Sequence, residues 1–221
     1  MQYITLFSLN HILYILFFIA FFSGILYSKK FFPKRNFEIT LALVMAFVKI
    51  ITYAGRYFIN KEPLYALCPI HICNISFILA VIFLIFPNIK AFQLVFYMSL
   101  GAIAAILFPE AVVVFPNPFG ISFFLEHFFI LFMIAYQYIY LGFRPNKKGL
   151  FNTFITLNIL AVLAYIFNNH FSTNYMFVNH KPITASPLDY FGPWPFYILV
   201  VEFIFIGLGY LVYLLFNKKQ K

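Results

Sequence analysis

Charge and cysteine are both scarce in this chain, and each shortage excludes a class of protein. Only 10% of its 221 residues are charged and six are acidic, against 64% hydrophobic residues and a mean hydropathy of +0.92. A water-soluble domain of this size cannot hide so much apolar surface, so a soluble globular fold is excluded. The two cysteines, Cys68 and Cys73, sit in one apolar segment. They form neither a disulfide framework nor a C-x-x-C zinc or redox pair, and five apart on one helix they are badly placed to bond to each other. No H-x-x-x-H or similar spacing supports a metal site, so neither a metal nor a cofactor is expected. The first apolar run has no basic residue before it and no small-x-small pattern after it, which argues for a retained span over a cleaved signal.

What the chain has is apolar runs punctuated by Lys, Arg, Pro and Asn. Seven are read as membrane spans: Ile4 to Tyr27, Ile39 to Ile59, Leu64 to Phe86, Ala91 to Phe108, Ile121 to Phe143, Leu150 to Phe167 and Trp194 to Phe216. Each is near the roughly 20 residues a helix needs to cross the hydrocarbon. The expectation is an all-α, seven-helix, polytopic bundle forming a single integral membrane domain over residues 1–221. No internal repeat or separate soluble domain is visible. The 34 phenylalanines, with much Ile, Asn and Lys, resemble the bias of an AT-rich bacterial genome.

Loops that stay in the cytoplasm retain Lys and Arg, so charge orients the bundle. With the N-terminus outside and the C-terminus in the cytoplasm, Lys29, Lys30, Lys34, Arg35, Lys90, Arg144, Lys147, Lys148, Lys218, Lys219 and Lys221 fall inside. Arg56, Lys61 and Lys181 fall outside, and Lys49 lies within a span. The net charge of +9 then reflects topology and contact with anionic inner-leaflet lipid, with no nucleic acid implied. A plasma-membrane protein is expected, with membrane lipids as partners and no protein partner revealed. The stretch from Asn168 to Pro193 becomes a long outer loop, which favours a functional role over a plain connector.

Ionisable groups at membrane depth cost several kcal/mol unless paired or hydrated, which makes their positions informative. In a regular third helix, His71 lies about 10 Å in from the outer end and shares a face with Cys68 and Asn74, while Cys73 points away. On the second span Lys49, Thr52, Tyr53 and Arg56 follow one helix face. Lys49 and Glu202 reach similar depths, roughly 15 and 12 Å below the outer end, and form a candidate intramembrane ion pair. Glu110, Glu126, His127 and Asp189 also fall in the outer half, so one polar chamber there is expected to collect these groups. Gly192-Pro193-Trp194-Pro195 is read as fixing the approach of the last helix and capping the chamber.

Four stretches, "LYALCPIHICNISFILAVI", "GAIAAILFP", "EHFFILFMIAYQY" and "NYMFVNHKPITASPLDYFGPWPFYIL", resemble the YwaF-like bacterial integral membrane proteins, relatives of vertebrate transmembrane protein 164. The resemblance runs in order over about two thirds of the chain. It implies a seven-helix bundle and, from the vertebrate branch, acyl transfer between membrane lipids by a cysteine immediately before a histidine. His71 and His127 match family histidines. The residue before His71 is Ile70, which is no nucleophile, and Cys73 is what the bacterial pattern offers instead.

Acyl transfer or acyl-ester hydrolysis is therefore the leading expectation. Cys73 or Cys68 would be the nucleophile and His71 or His127 the base, with Glu126, Glu110 or Asp189 orienting it. Lys49, Arg56, Asn74, Trp194 and Glu202 would complete the substrate site. The bland alternative makes each thiol a small apolar filler and His71 an interhelical hydrogen bond. An ion- or proton-coupled transporter and a non-catalytic membrane subunit are the rival classes, the first weakened by the missing inverted repeat.

Overall fold

A computed structural model describes residues 3–31, 34–110, 112–114 and 117–217, with Lys34 described in its backbone only. Lys218, Lys219 and Lys221, counted above on the inner side, lie outside the described residues. Among the described residues the chain is all-helical, with no β-strand. Its α-helices are α1 Leu9–Ser28, α2 Lys34–Phe58, α3 Ile72–Ile85, α4 Ile89–Leu107, α5 Pro118–Tyr140, α6 Lys147–Phe171 and α7 Phe196–Phe216. Six are long and apolar enough to cross a membrane; α3, at 14 residues, is shorter. This is a multi-pass membrane protein.

Helix starts are set by short polar side chains that satisfy the first N–H groups. Asn88, Asn117 and Asn146 each accept from backbone N–H groups of α4, α5 and α6, and Pro118 follows Asn117 where its missing N–H costs nothing. These caps place the starts two to three residues before the first apolar residue used to delimit each run. At its other end α6 continues to Phe171, so the first four residues expected in the outer loop are helical.

The third run departs most from expectation. Leu64–Leu67 is a single 3-10 turn, Cys68 is extended (φ −62°, ψ 132°), and α3 begins only at Ile72. Pro69 is the cause: it has no N–H to donate, its ring excludes the carbonyl four residues earlier, and it drives the residue before it out of the helical region. A helix expected from Leu64 is thus broken by a non-helical segment at Cys68–His71, and the face-sharing argument for Cys68 and His71 does not apply.

α5 is the axis, packed against α1, α2, α3 and α4; α4 extends the bundle to α6 and α7. Phe77, Phe124, Phe129, Ile130 and Met133 fill the centre with almost no exposed surface. α7 packs on α6 and α4 at the rim, and it turns many large apolar side chains outward, Phe203 and Leu215 among them. In lipid such a bundle is held by close packing and interhelical hydrogen bonds, since the surrounding tails are as apolar as the core. One such bond joins Tyr136, which donates to Glu38 Oε1 at 2.6 Å, about 15 Å along α5 from Glu126 at 1.5 Å per residue.

Candidate functional site

The expected face of α2 exists, and it looks at α3 and α5. Lys49 Nζ donates to Glu126 Oε2 of α5 at 2.5 Å and to Asn74 Oδ1 of α3 at 2.7 Å. One turn on, Thr52 Oγ1 lies 2.8 Å from Ser122 Oγ, and Ser122 donates to Glu126 Oε1 at 3.1 Å. Thr52 Oγ1 also donates to the Val48 carbonyl at 2.9 Å, so its single proton is held along α2. The Lys49 and Glu126 side chains are 14% and 12% exposed, and the ammonium also sits over the Tyr53 and Phe77 rings at 4.7 and 5.3 Å. This chain of contacts corrects the expected Lys49–Glu202 pair. Glu202 stands on α7 with no hydrogen bond or ion pair among the described residues, because Lys49 points into the α2–α3–α5 seam.

Arg56, a turn above Tyr53, makes a forked contact with Glu62: its Nε donates at 3.1 and 3.0 Å and its Nη2 at 2.6 Å. That guanidinium holds the Glu62 carboxyl below its ordinary value. A carboxylate with a depressed folded pKa contributes stability above its unfolded value and loses it as pH falls through the folded one. Acidification is therefore expected to release the 59–63 connection, read as a lower hydrogen-exchange protection factor at the Glu62 amide, which donates to the Arg56 carbonyl at 3.1 Å. In Glu62→Gln the protection factor of that amide should stay level across the acid range; a wild type equally insensitive would show that the pair does not hold the loop.

Two imidazoles complete the cluster. His127 Nδ1 is 2.7 Å from the Phe123 carbonyl, which can only accept, so Nδ1 carries the proton and Nε2 keeps its lone pair. His71, the N-cap of α3, has the opposite arrangement. Its Nδ1 accepts from the Met176 N–H at 3.3 Å, which leaves the proton of the neutral ring on Nε2. Cys73 lies in the first turn of α3 and packs, partly buried, against the core cluster that holds Phe77, Phe124 and Phe129. Cys68 instead packs with Ile70, Ala164, Tyr175 and Val178.

The sequence model of the TMEM164 family matches residues 6–213, nearly the whole chain. The chain belongs to the TMEM164 family. An uncharacterized protein of Treponema pallidum (strain Nichols) is similar to it, 24% identical over 115 residues that make up 52% of this chain and 48% of the relative. The chain thus spans about half the length of that curated relative. No solved structure matches.

In this member of the TMEM164 family the remaining expected site residues lie apart from the α2–α3–α5 cluster. Glu110 Oε1 accepts from the Ile183 N–H at 3.1 Å and ties down the loop between α6 and α7. Asp189 is exposed and caps a short turn, accepting from the Ser186 N–H at 2.8 Å. Trp194 Nε1 donates to the Val178 carbonyl at 2.9 Å, which fastens the start of α7 to the same loop. Among the described residues no three His, Cys, Asp or Glu side chains gather in a way that could hold a metal ion.

Several partners in the site carried no signal strong enough to read from sequence. Asn168 is 1% exposed and organises the loop: its Nδ2 donates to the Tyr175 carbonyl and to Asn179, and its Oδ1 accepts from the Tyr175 N–H and Thr173. The loop so built lays Tyr175 and Phe177 on the His71 ring at 4.9 and 5.7 Å. Burial pushes the Tyr175 phenol up to about 12, and it stays a donor, to the Tyr65 carbonyl at 2.9 Å. Tyr53 was read as one of a face but not as a site group. Its buried hydroxyl has no hydrogen-bond partner among the described residues, and it feels the charges of Glu126 and Arg56.

Proposed function

We propose that this is a seven-span bacterial plasma-membrane protein, N-terminus outside, that carries out acyl transfer or acyl-ester hydrolysis on membrane lipids in the outer half of the bilayer. The observation that carries the reading is the start of α3: His71 is its N-cap with no side-chain hydrogen bond to the helix, and Cys73 stands in its first turn. The first N–H groups of a helix have no intrahelical acceptor and present a partial positive charge, which favours the oxyanion of a tetrahedral intermediate. A Pro-broken helix at membrane depth is where such donors become usable.

In the proposed reaction Cys73 Sγ attacks an acyl-ester carbonyl, forming a carbon–sulfur bond while the ester carbon–oxygen bond breaks. The lone pair of His127 Nε2 takes the thiol proton and returns it to the departing lipid oxygen. The thioester passes its acyl group to a lipid hydroxyl or to water by the reverse sequence, which restores the thiol. The Nε2–H of His71 and the unpartnered Tyr53 hydroxyl are the donors for the oxyanion. Lys49 and Glu126 hold the α2–α3–α5 seam in register around them.

A proton-coupled carrier is the second reading, favoured by the Lys49–Glu126 pair. Against it, the apolar side chains of Phe77, Phe129 and Met133, at most 2% exposed, fill the centre of the bundle. The deciding experiment labels the purified protein in lipid with an alkyne-tagged acyl thioester, alongside Cys73→Ala and Cys68→Ala. Label lost with Cys73→Ala alone supports the reading. Label on neither cysteine of folded protein sinks the thiol mechanism and moves the reading to a carrier.

A further inference from the structure

Because α3 begins at Ile72, the last three turns of α6 face a non-helical segment where a continuous third helix would have packed. The gap is a groove of about 510 Å³, with Pro69, Ile70 and Ile75 on one wall and Leu163, Ile166 and Phe167 on the other. Its surface is almost wholly apolar, and at one end His170 and Phe171 close it. Leu163 and Ile166 are 56% and 60% exposed, so the groove opens sideways, onto the lipid that surrounds membrane-crossing helices.

From the groove and its setting we infer that it holds one acyl chain of a membrane lipid, with the ester end at the Cys68–His71 break. This rests on the acyl-chemistry reading above and names the substrate subsite. The setting chooses the occupant. The lining residues on α6 run from Leu160 to Phe171, about 16 Å at the helical rise, along a face whose Leu163 and Ile166 are open to lipid tails. The volume also lies within the about 300–1,000 Å³ typical of small-molecule sites. No charged side chain lines the groove, so it offers nothing to a headgroup along its length.

The groove also leads to the proposed chemistry. Ile70 forms part of its wall and packs in the same cluster as Cys68, Tyr175 and Val178. The next residue is His71, and Cys73 follows on the first turn of α3. A chain lying along α6 with its ester end at Ile70 is thus one residue along the backbone from His71, the N-cap of α3.

The test uses the full-length protein in phosphatidylcholine nanodiscs carrying a trace of phosphatidylcholine with a diazirine in one acyl chain, irradiated and mapped by peptide mass spectrometry. Labelling of 69–75 and 160–171 is expected to exceed, several-fold, that of the equally exposed α1 residues Leu13, Leu16 and Phe17. Leu163→Trp or Ile166→Trp, both at lipid-facing positions that leave the core intact, should fill the groove, abolish the excess and spare the α1 signal. Uniform labelling, an excess indifferent to both tryptophans, or protein–protein cross-links at the groove would overturn the inference. The two readings fail separately. Groove labelling without thioester labelling of Cys73 removes the chemistry and leaves the groove, while Cys73 labelling with uniform photolabelling does the reverse.

Discussion

Glu126→Ala is expected to destabilise the folded protein by about 3–5 kcal/mol, because it leaves a buried ammonium with no counter-charge. Lys49 Nζ has two acceptors, Glu126 Oε2 and Asn74 Oδ1, and the second is a neutral amide that cannot neutralise it. The aromatic faces of Tyr53 and Phe77 soften the loss without replacing the carboxylate. Ser122 loses one acceptor in the same variant but keeps Thr52 Oγ1 at 2.8 Å, so it adds little to the loss. The double variant Lys49→Met with Glu126→Leu should recover most of the stability, since it removes the charge and its partner together. Denaturant unfolding of the purified protein in detergent checks both. A single variant within about 1 kcal/mol of wild type would mean that the pair behaves as a hydrated surface bridge and that water reaches the seam freely. Because the proposed chemistry needs the seam aligned, the double variant should fold and still lose thioester labelling.

The location of the site was partly legible because some of its determinants are local. The spacing of Lys49, Thr52, Tyr53 and Arg56 puts them on one face whatever surrounds α2, and each of them does face the cluster. Which helix that face meets is not local information. Depth alone made Glu202 as good a partner for Lys49 as Glu126, and only the packing of α2 on α3 and α5, with α7 on α4 and α6, separates the two. Pro69 was visible as a source of distortion, yet the size of its effect depends on what the freed chain packs against. Here Cys68 and Ile70 find Ala164, Tyr175 and Val178, and the whole turn from Cys68 to His71 leaves the helix. Sign and depth draw Asp189 and Glu110 toward the chamber, yet Asp189 satisfies the N–H of Ser186 three residues before it, and Glu110 that of Ile183 in the loop between α6 and α7. Short acidic side chains near loops do this readily, which makes carboxylates outside helix interiors weak site markers. The family match fits the helical content that composition predicted, since both rest on the long apolar runs.

His127 should matter more to thioester labelling than any other imidazole, with His127→Ala expected to slow acylation of Cys73 by about 100-fold or more, the usual contribution of a positioned general base. The argument is one of proton placement. The Phe123 carbonyl fixes the proton of His127 on Nδ1, and the Phe123 ring packs at 4.2 Å against the imidazole, so the ring cannot turn to offer Nδ1 instead. Nε2 is then held as a base before substrate arrives. His71 has its bare nitrogen occupied by the Met176 N–H and can only donate from Nε2, so His71→Ala removes a donor and should slow acylation by a smaller factor. His71→Gln keeps a donor and should recover part of that loss, whereas His127→Gln, whose amide is no base, should not recover. Measuring the labelling rate of all four variants, with folding confirmed by thermal unfolding, separates the two roles. Equal losses at both positions, or recovery by glutamine at His127, would show that the imidazoles position the seam and that neither removes the thiol proton.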